Sequence, residues 1–410
     1  MLEGKYQDFC NQIINTISKE NIFTDKLHTL AYGTDASFYR LIPKIVIKTD
    51  NAYEVEQIIK LSNQIDLSIT FRAAGTSLSG QAISDSILII TSRKFTNFKI
   101  ADDKSTISLE PALTGQQVNN LLAPYGKKIG PDPASINAAM IGGIAANNAS
   151  GMCCGISQNS YKTLKSMKLI FGDGTKLDTA CNESKKAFKQ SHGEFLADLK
   201  KLSDDTKSNE ELRAKIERKF KIKNTCGYSL NALIDFDDEF EILQHLIIGS
   251  EGTLAFIEEI TYYTVEDYKD KASALIYFKD VKEACSAVTK LKLAKEANTI
   301  NVEAVELMDR AGLASIENDP AMPEYIKTFD ENVTALLIET RAINDKNLDT
   351  QISQIEELLQ DFSVVRDIYF TKDVEEYTLY WKIRKGLFPA VGAVRETGTL
   401  DIIEEVGYID

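Results

Sequence analysis

Phe71-Arg72-Ala73-Ala74-Gly75-Thr76-Ser77-Leu78-Ser79-Gly80-Gln81 lies between two short apolar runs, Leu67 to Phe71 and Ile87 to Ile90. Apolar runs of this length read as strands, so the intervening segment is a strand-to-strand loop. It is poor in bulk and rich in Gly, Ser and Thr. Such a loop turns consecutive backbone N–H groups toward one concave side, where they cradle an anion, typically a phosphate. The pattern fits neither a Walker loop, which needs Gly-Lys-Ser/Thr, nor the G-x-G-x-x-G dinucleotide fingerprint. The reading is a phosphate cradle with Arg72 at its mouth. Taken alone, the same residues also make an ordinary Gly/Ser connection.

Two further segments add weight. Gly130-Pro131-Asp132-Pro133-Ala134-Ser135 holds two prolines that each fix φ and stiffen a turn. It runs toward Ile141-Gly142-Gly143-Ile144-Ala145-Ala146-Asn147-Asn148-Ala149-Ser150-Gly151, whose small side chains predict a close backbone approach by a helix or a flat ligand. Gly249-Ser250-Glu251-Gly252-Thr253-Leu254-Ala255-Phe256-Ile257 is a tight glycine turn entering a strand.

In this order the three segments resemble the FAD-linked oxidases of the vanillyl-alcohol oxidase and p-cresol methylhydroxylase type. Tyr32-Gly33-Thr34-Asp35-Ala36-Ser37, Arg72 to Gln81 and Asn147 to Gly155 are similar to the D-lactate dehydrogenases that carry a C-terminal iron–sulfur region. The resemblance covers residues 30 to 406. The fold it implies is α+β: a PCMH-type FAD-binding domain of two α+β subdomains, followed by an α+β cap domain of the FAD-linked oxidase C-terminal type. The expected divisions are a helical lead-in over 1–30, the flavin domain over 31–268 and the cap over 269–410.

The resemblance also implies site residues. Arg72, Ala74, Gly75, Thr76, Ser77, Ser79, Gly80 and Gln81 belong to the pyrophosphate loop. Pro131, Asp132, Gly143, Asn147 and Ser150 lie along the ribityl chain and ring, and Glu251, Gly252 and Ile257 flank the ribose and adenine end. In Trp381-Lys382-Ile383-Arg384-Lys385-Gly386, Arg384 matches the family arginine that clamps the substrate carboxylate, a task suited to its planar fork; Arg395 is a weaker second candidate. No histidine lies in the loop, so FAD is expected to be held noncovalently. Cys153 and Cys154 are read as buried inert thiols rather than flavin thioethers. The reaction implied is oxidation of a D-2-hydroxy acid, D-lactate first, with the Cα hydrogen leaving as hydride toward flavin N5.

One departure stands out. The family's His-Gly-Asp-Gly-Asn type segment, which supplies the base, is not found. His28, His192 and His245 have no chelating spacing and no metal is assigned. The chain is therefore expected to be an N-terminal portion whose cap is truncated, with iron–sulfur clusters only in a further C-terminal region or a partner. The electron acceptor, a quinone, cytochrome or iron–sulfur protein, is not readable. Other readings stay open: a partner-dependent flavoprotein subunit of the glycolate oxidase kind, a D-2-hydroxyglutarate dehydrogenase, an enolpyruvyl-sugar reductase and, weakest, an NAD dehydrogenase.

Composition excludes several classes. Lys+Arg 47 against Asp+Glu 61 gives a net charge of −14, with no electrostatic footprint for nucleic acid. The longest small-apolar run, Ala138 to Ala146, is too short to span a bilayer, and the N-terminal residues show no signal core. The 6 cysteines include no C-x-x-C pair. A cytoplasmic enzyme is expected, with peripheral contact on the inner membrane face left open.

Periodicity supplies the remaining elements. Residues 6–19 predict an amphipathic helix with Phe9, Ile13, Ile14 and Ile17 inward. Strand, helix and strand follow at 44–48, 54–63 and 67–71, then strand 106–110 and helix 114–123. Leu169 to Leu177 predicts a hairpin with Asp173-Gly174 at positive φ. Residues 182–223 are dense in charge and predict solvated helices around Phe195, Leu196, Leu199 and Leu202. In the cap, strands are expected at 274–278, 334–340 and 364–370, with helices at 281–294 and 348–359.

Overall fold

The computed structural model describes residues 2–151, 153–318, 323–382 and 384. The described residues form two compact units, one ending at Glu266 and one beginning at Asp267.

The first unit opens with α1 (Lys5–Ile13), β1 (Ile22–Phe23), α2 (Lys26–Ala31), β2 (Ile45–Thr49), α3 (Ala52–Ile65), β3 (Ile69–Arg72) and β4 (Ile87–Thr91). These strands form a sheet in the order β1-β2-β4-β3, with β2 and β3 both parallel to β4. Strands Ile45–Thr49 and Ile87–Thr91 are almost continuously apolar, as strands buried on both faces must be. Phe9, Ile13 and Ile17 pack with Ile45, Ile47, Ile58, Ile87 and Ile89.

A second sheet uses β5 (Phe98–Ile100), β6 (Thr106–Leu109), β7 (Lys127–Ile129), β8 (Leu164–Phe171), β9 (Lys176–Asp178) and β10 (Ala255–Glu266) in the order β5-β6-β10-β8-β9, with β7 pairing β10. Between its strands come α4 (Gly115–Leu122), α5 (Ile141–Asn147), α6 (Ser160–Thr163), α7 (Asn182–Ser191), α8 (Gly193–Ser208), α9 (Glu210–Lys219), α10 (Ala232–Asp235) and α11 (Glu239–Ile247). Thr114 and Gln117 form a reciprocal capping box that starts α4 where the sequence places it.

The second unit holds β11 (Asp270–Phe278), α12 (Val281–Glu296), β12 (Ala304–Met308), α13 (Arg310–Ile316), β13 (Thr334–Ala342), α14 (Asp345–Leu359) and β14 (Phe370–Thr371). Its sheet is antiparallel in the order β12-β13-β11-β14. One face carries Ala272, Ala274, Ile276, Phe278, Leu336 and Ile338 against α12 and α14. The other carries Tyr277, Met308, Ala335 and Leu337 at one end. Alternation along each strand sends these two sets to opposite faces.

Several expectations change. The first helix stops at Ile13, and Ile14 is 45% exposed, because the chain turns so that Ile17 alone rejoins the core. In the hairpin only Gly174 has positive φ, at 84°; a three-residue loop with a left-handed third position replaces the tighter turn. Residues 182–219 are not simply solvated. Phe188, Leu196 and Leu199 enter the main core, while Phe195 and Leu202 face out, so the helices bury one narrow face. The strand expected over 364–370 is a single bridge at Val364 to Phe278, then Phe370–Thr371 beside Ser273 and Ala274. Six steps on one strand face four on β11, so the surplus residues bulge out of the ladder. The strand Ala304–Met308 was not foreseen.

Candidate active site

Strand β3 ends at Arg72 and releases the chain into residues 73–81. Gly75 and Gly80 have φ of 69° and 78°, a region open to glycine and strained for other residues. A Cβ on Gly75 would lie 2.6 Å from the Arg72 guanidinium, and one on Gly80 2.9 Å from the Tyr39 ring. The Arg72 side chain does not reach outward. Its Nη1 donates to the carbonyls of Tyr32 (3.1 Å) and Thr34 (2.8 Å), while Ala36 N–H donates to the Gly75 carbonyl (3.0 Å). Burial lowers the Arg72 pKa, opposed by Asp35 and Tyr32. Arg72 thus fastens residues 32–36 to the loop, and the loop backbone is left to meet a ligand. The backbone N–H groups of Gly75, Thr76, Ser77, Leu78 and Gly80 have no acceptor among the described residues, and all five residues are half-buried. A run of half-buried unsatisfied donors is costly unless a ligand or water accepts from it.

Helix α5 meets this loop at Gly143. A Cβ on Gly143 would sit 3.1 Å from the Ala73 methyl, and one on Gly142 2.7 Å from Pro111. The helix ends at Asn147, whose Nδ2 donates to Glu251 Oε1 at 2.6 Å; Gln81 Nε2 approaches the same oxygen at 3.4 Å. Glu251 therefore ties together all three segments singled out in the sequence. Burial raises its pKa, against the pull of Asn147 and Gln81. Its φ of 53° is left-handed, between Gly249 at 84° and Gly252 at 74°. A non-glycine residue held there stores strain of about 1 kcal/mol, a feature that concentrates at functional turns. Next to it, the buried Ser250 hydroxyl has no hydrogen-bond partner among the described residues.

The other expected positions have different surroundings. Asp132 accepts from the backbone N–H of Gly151 (3.0 Å), Cys153 (3.1 Å) and Cys154 (3.2 Å). Its carboxylate holds that turn, and Gly151 is required there because a Cβ would overlap the Asp132 carbonyl. Pro131 and Ser150 are buried beside it. Ile257 is in the main core, paired with Leu169 across the sheet, so its side chain is engaged in packing. Burial pushes the Cys154 thiol up to about 12, which suits an inert core residue.

In the second unit Arg384 follows a helical run over 374–382. Its Nε donates to Glu306 Oε2 at 3.0 Å, and Nη2 lies 2.8 Å from the same oxygen as an ion pair. Glu306 sits on β12 opposite Leu337, on the same sheet face as Ser273 and Glu339. There Trp381 Nε1 donates to Ser273 Oγ (3.3 Å), and Arg341 Nε donates to Glu339 Oε1 (2.6 Å). The face is thus apolar at the Tyr277 end and charged at the Glu306 and Glu339 end. Of this group the sequence reading singled out Arg384, in the segment beginning at Trp381, and did not name Ser273, Glu306, Glu339 or Arg341. For Glu339 the available signal was a carboxylate within the expected strand 334–340; Glu306 lies on Ala304–Met308, which was not expected. Arg395 lies outside the described residues.

Residues 43–180 match the family described as FAD binding domain, and residues 268–408 match the family described as FAD linked oxidases, C-terminal domain. The chain belongs to the FAD-linked oxidases. FAD is its cofactor. The donor run at 75–80, closed in by Gln81, Asn147 and Glu251, fits the pyrophosphate of that group. The chain is 25% identical over 354 residues to a D-2-hydroxyglutarate dehydrogenase of Haemophilus influenzae, covering 83% of this chain and 34% of that protein. It is 24% identical to a D-lactate dehydrogenase of Archaeoglobus fulgidus, covering 70% of this chain and 55% of the relative. The chain thus spans about a third and about half of these relatives. The crystal structure of p-cresol methylhydroxylase with substrate bound superposes with a TM-score of 0.64 at 12% identity, over 94% of this chain and 70% of that one. This likeness shows the expected PCMH-type fold. Among the described residues no helix is long and apolar enough to cross a membrane.

Proposed function

We propose that this FAD-linked oxidoreductase oxidises a D-2-hydroxy acid to the 2-oxo acid, with D-lactate as the first substrate to test and D-2-hydroxyglutarate beside it. The observation that carries the reading is the set of unpartnered N–H groups on half-buried residues 75–78 and 80, joined through Gln81 and Glu251 to Asn147. Ala74 to Gly80 would hold the pyrophosphate, and Gly143, Asn147, Ser150 and Gly252 would border the rest of the cofactor. Binding is noncovalent in this reading. Bound FAD supplies the two-electron acceptor for the substrate Cα hydrogen. Arg384 would bind the substrate carboxylate and orient the acid. The reading assigns the hydroxyl proton to none of His28, His192 and His245, which are bonded to Asp25, Asp173 and the Glu241 carbonyl.

The test is anaerobic. The purified chain loaded with FAD should absorb near about 450 nm and bleach on adding one of the two acids. Bleaching by D-lactate alone, or by D-2-hydroxyglutarate alone, decides the substrate. A flavin-loaded chain that neither acid bleaches would instead favour a partner-dependent flavoprotein subunit. Arg384→Ala should keep its flavin and lose about 100-fold in kcat/KM; unchanged efficiency would remove Arg384 from the site.

A further inference from the structure

The Arg384 guanidinium has two bonding edges. Nε and Nη2 form one, with Nε donating to a Glu306 oxygen at 3.0 Å and Nη2 ion-paired with the same oxygen at 2.8 Å. Nη1 and Nη2 form the other, and among the described residues nothing is bonded to Nη1. Both side chains are mostly buried, at 23% and 17% exposure, so the pair is held rather than fluctuating in solvent. Glu306 itself is fixed on β12 by ladder pairing to β13, and Trp381, one helical turn before Arg384, is anchored on Ser273.

We infer that Glu306 is a positioning residue for substrate recognition: it holds Arg384 by its Nε edge so that the Nη1–Nη2 fork is presented, already oriented, to the carboxylate of a 2-hydroxy acid. This rests on the reading of Arg384 as the carboxylate clamp. The physical reason is entropy. A free arginine must lose its rotamer freedom when it binds, whereas a guanidinium fixed at one edge has already lost it. Glu306 also adds a negative charge beside an anion site, so its orienting effect must outweigh that repulsion.

The FAD-loaded chain, its flavin first reduced so that no hydride can be accepted, should be titrated calorimetrically with D-lactate and with D-2-hydroxyglutarate. Glu306→Ala should weaken binding of the preferred acid by about tenfold, while Glu306→Gln, which keeps an accepting oxygen, stays within about threefold of wild type. In an Arg384→Ala background, Glu306→Ala should add nothing, because its effect runs through the arginine; a merely structural role would add a further loss. If Arg384→Ala binds as wild type does, the clamp reading itself falls. If Arg384→Ala is weak but Glu306→Ala binds as tightly as wild type or tighter, only the positioning role is overturned. A wild-type chain that binds neither acid sinks both.

Discussion

The loop at 73–81 and the sheet face around Glu306 and Glu339 are both arranged for charge, by opposite means. The loop does it with backbone: small residues, two left-handed glycines and a row of unpartnered N–H groups. The sheet face does it with side chains: two arginines, each held by a carboxylate on a strand. A backbone site is made by leaving side chains out, and each omission is local. A side-chain site is made by register, which places residues far apart in sequence next to each other.

The strongest way to break the comparison is to put a side chain where the loop has none. Gly75→Val forces a β-branched residue into φ of 69° and against the Arg72 guanidinium. FAD affinity, followed by flavin fluorescence, should fall by about 100-fold or more; unchanged uptake would show that the loop backbone does not hold the cofactor. The converse is to remove a side chain from the sheet face. Glu339→Ala takes from Arg341 a carboxylate that is itself 3% exposed and leaves it the more exposed Asp267, and should cost about 2 kcal/mol in denaturant unfolding. FAD uptake should be spared, and a loss of flavin equal to that of Gly75→Val would erase the distinction.

A buried histidine sharpens the contrast within the first unit. His245 stacks on Phe236 at 4.0 Å and meets the Tyr161 ring edge, and burial lowers its pKa to about 4. A depressed histidine pKa means that the neutral ring's contribution is complete above the ordinary value of 6.5 and is lost as pH falls from there through 4. Stability should therefore drop by on the order of 2 kcal/mol over that window, and His245→Gln should flatten the slope. A slope unchanged by the substitution would assign the acid sensitivity elsewhere. The smallest effect concerns thiols. Cys154, buried and pushed up to about 12, should alkylate at least about tenfold more slowly at neutral pH than the exposed Cys226. Peptide mass spectrometry reads this, and flavin retained by acid-precipitated protein would overturn noncovalent binding.

Legibility followed the same division. The parallel strands at 45–49 and 87–91 were readable because strands buried on both faces are apolar throughout. The glycine segments were readable because small side chains advertise close approach. Arg72 was recognised as part of the loop, but its direction was not, since the carbonyls of Tyr32 and Thr34 come from 38 or more residues away. The strand Ala304–Met308 was missed because five residues between two helical patterns carry too little period to stand out. Glu306 was missed with it, since a lone glutamate on an unrecognised strand has no partner to suggest.

The amino-acid sequence by itself determined the strands at 45–49 and 87–91 and the three glycine segments, because small residues and apolar runs constrain the backbone where they stand. Only the tertiary structure decided that Glu251 joins those segments, that Arg72 faces inward and that Glu306 holds Arg384. Each of these is a contact between side chains or carbonyls distant along the chain, and its geometry exists only once strands are in register and loops are packed.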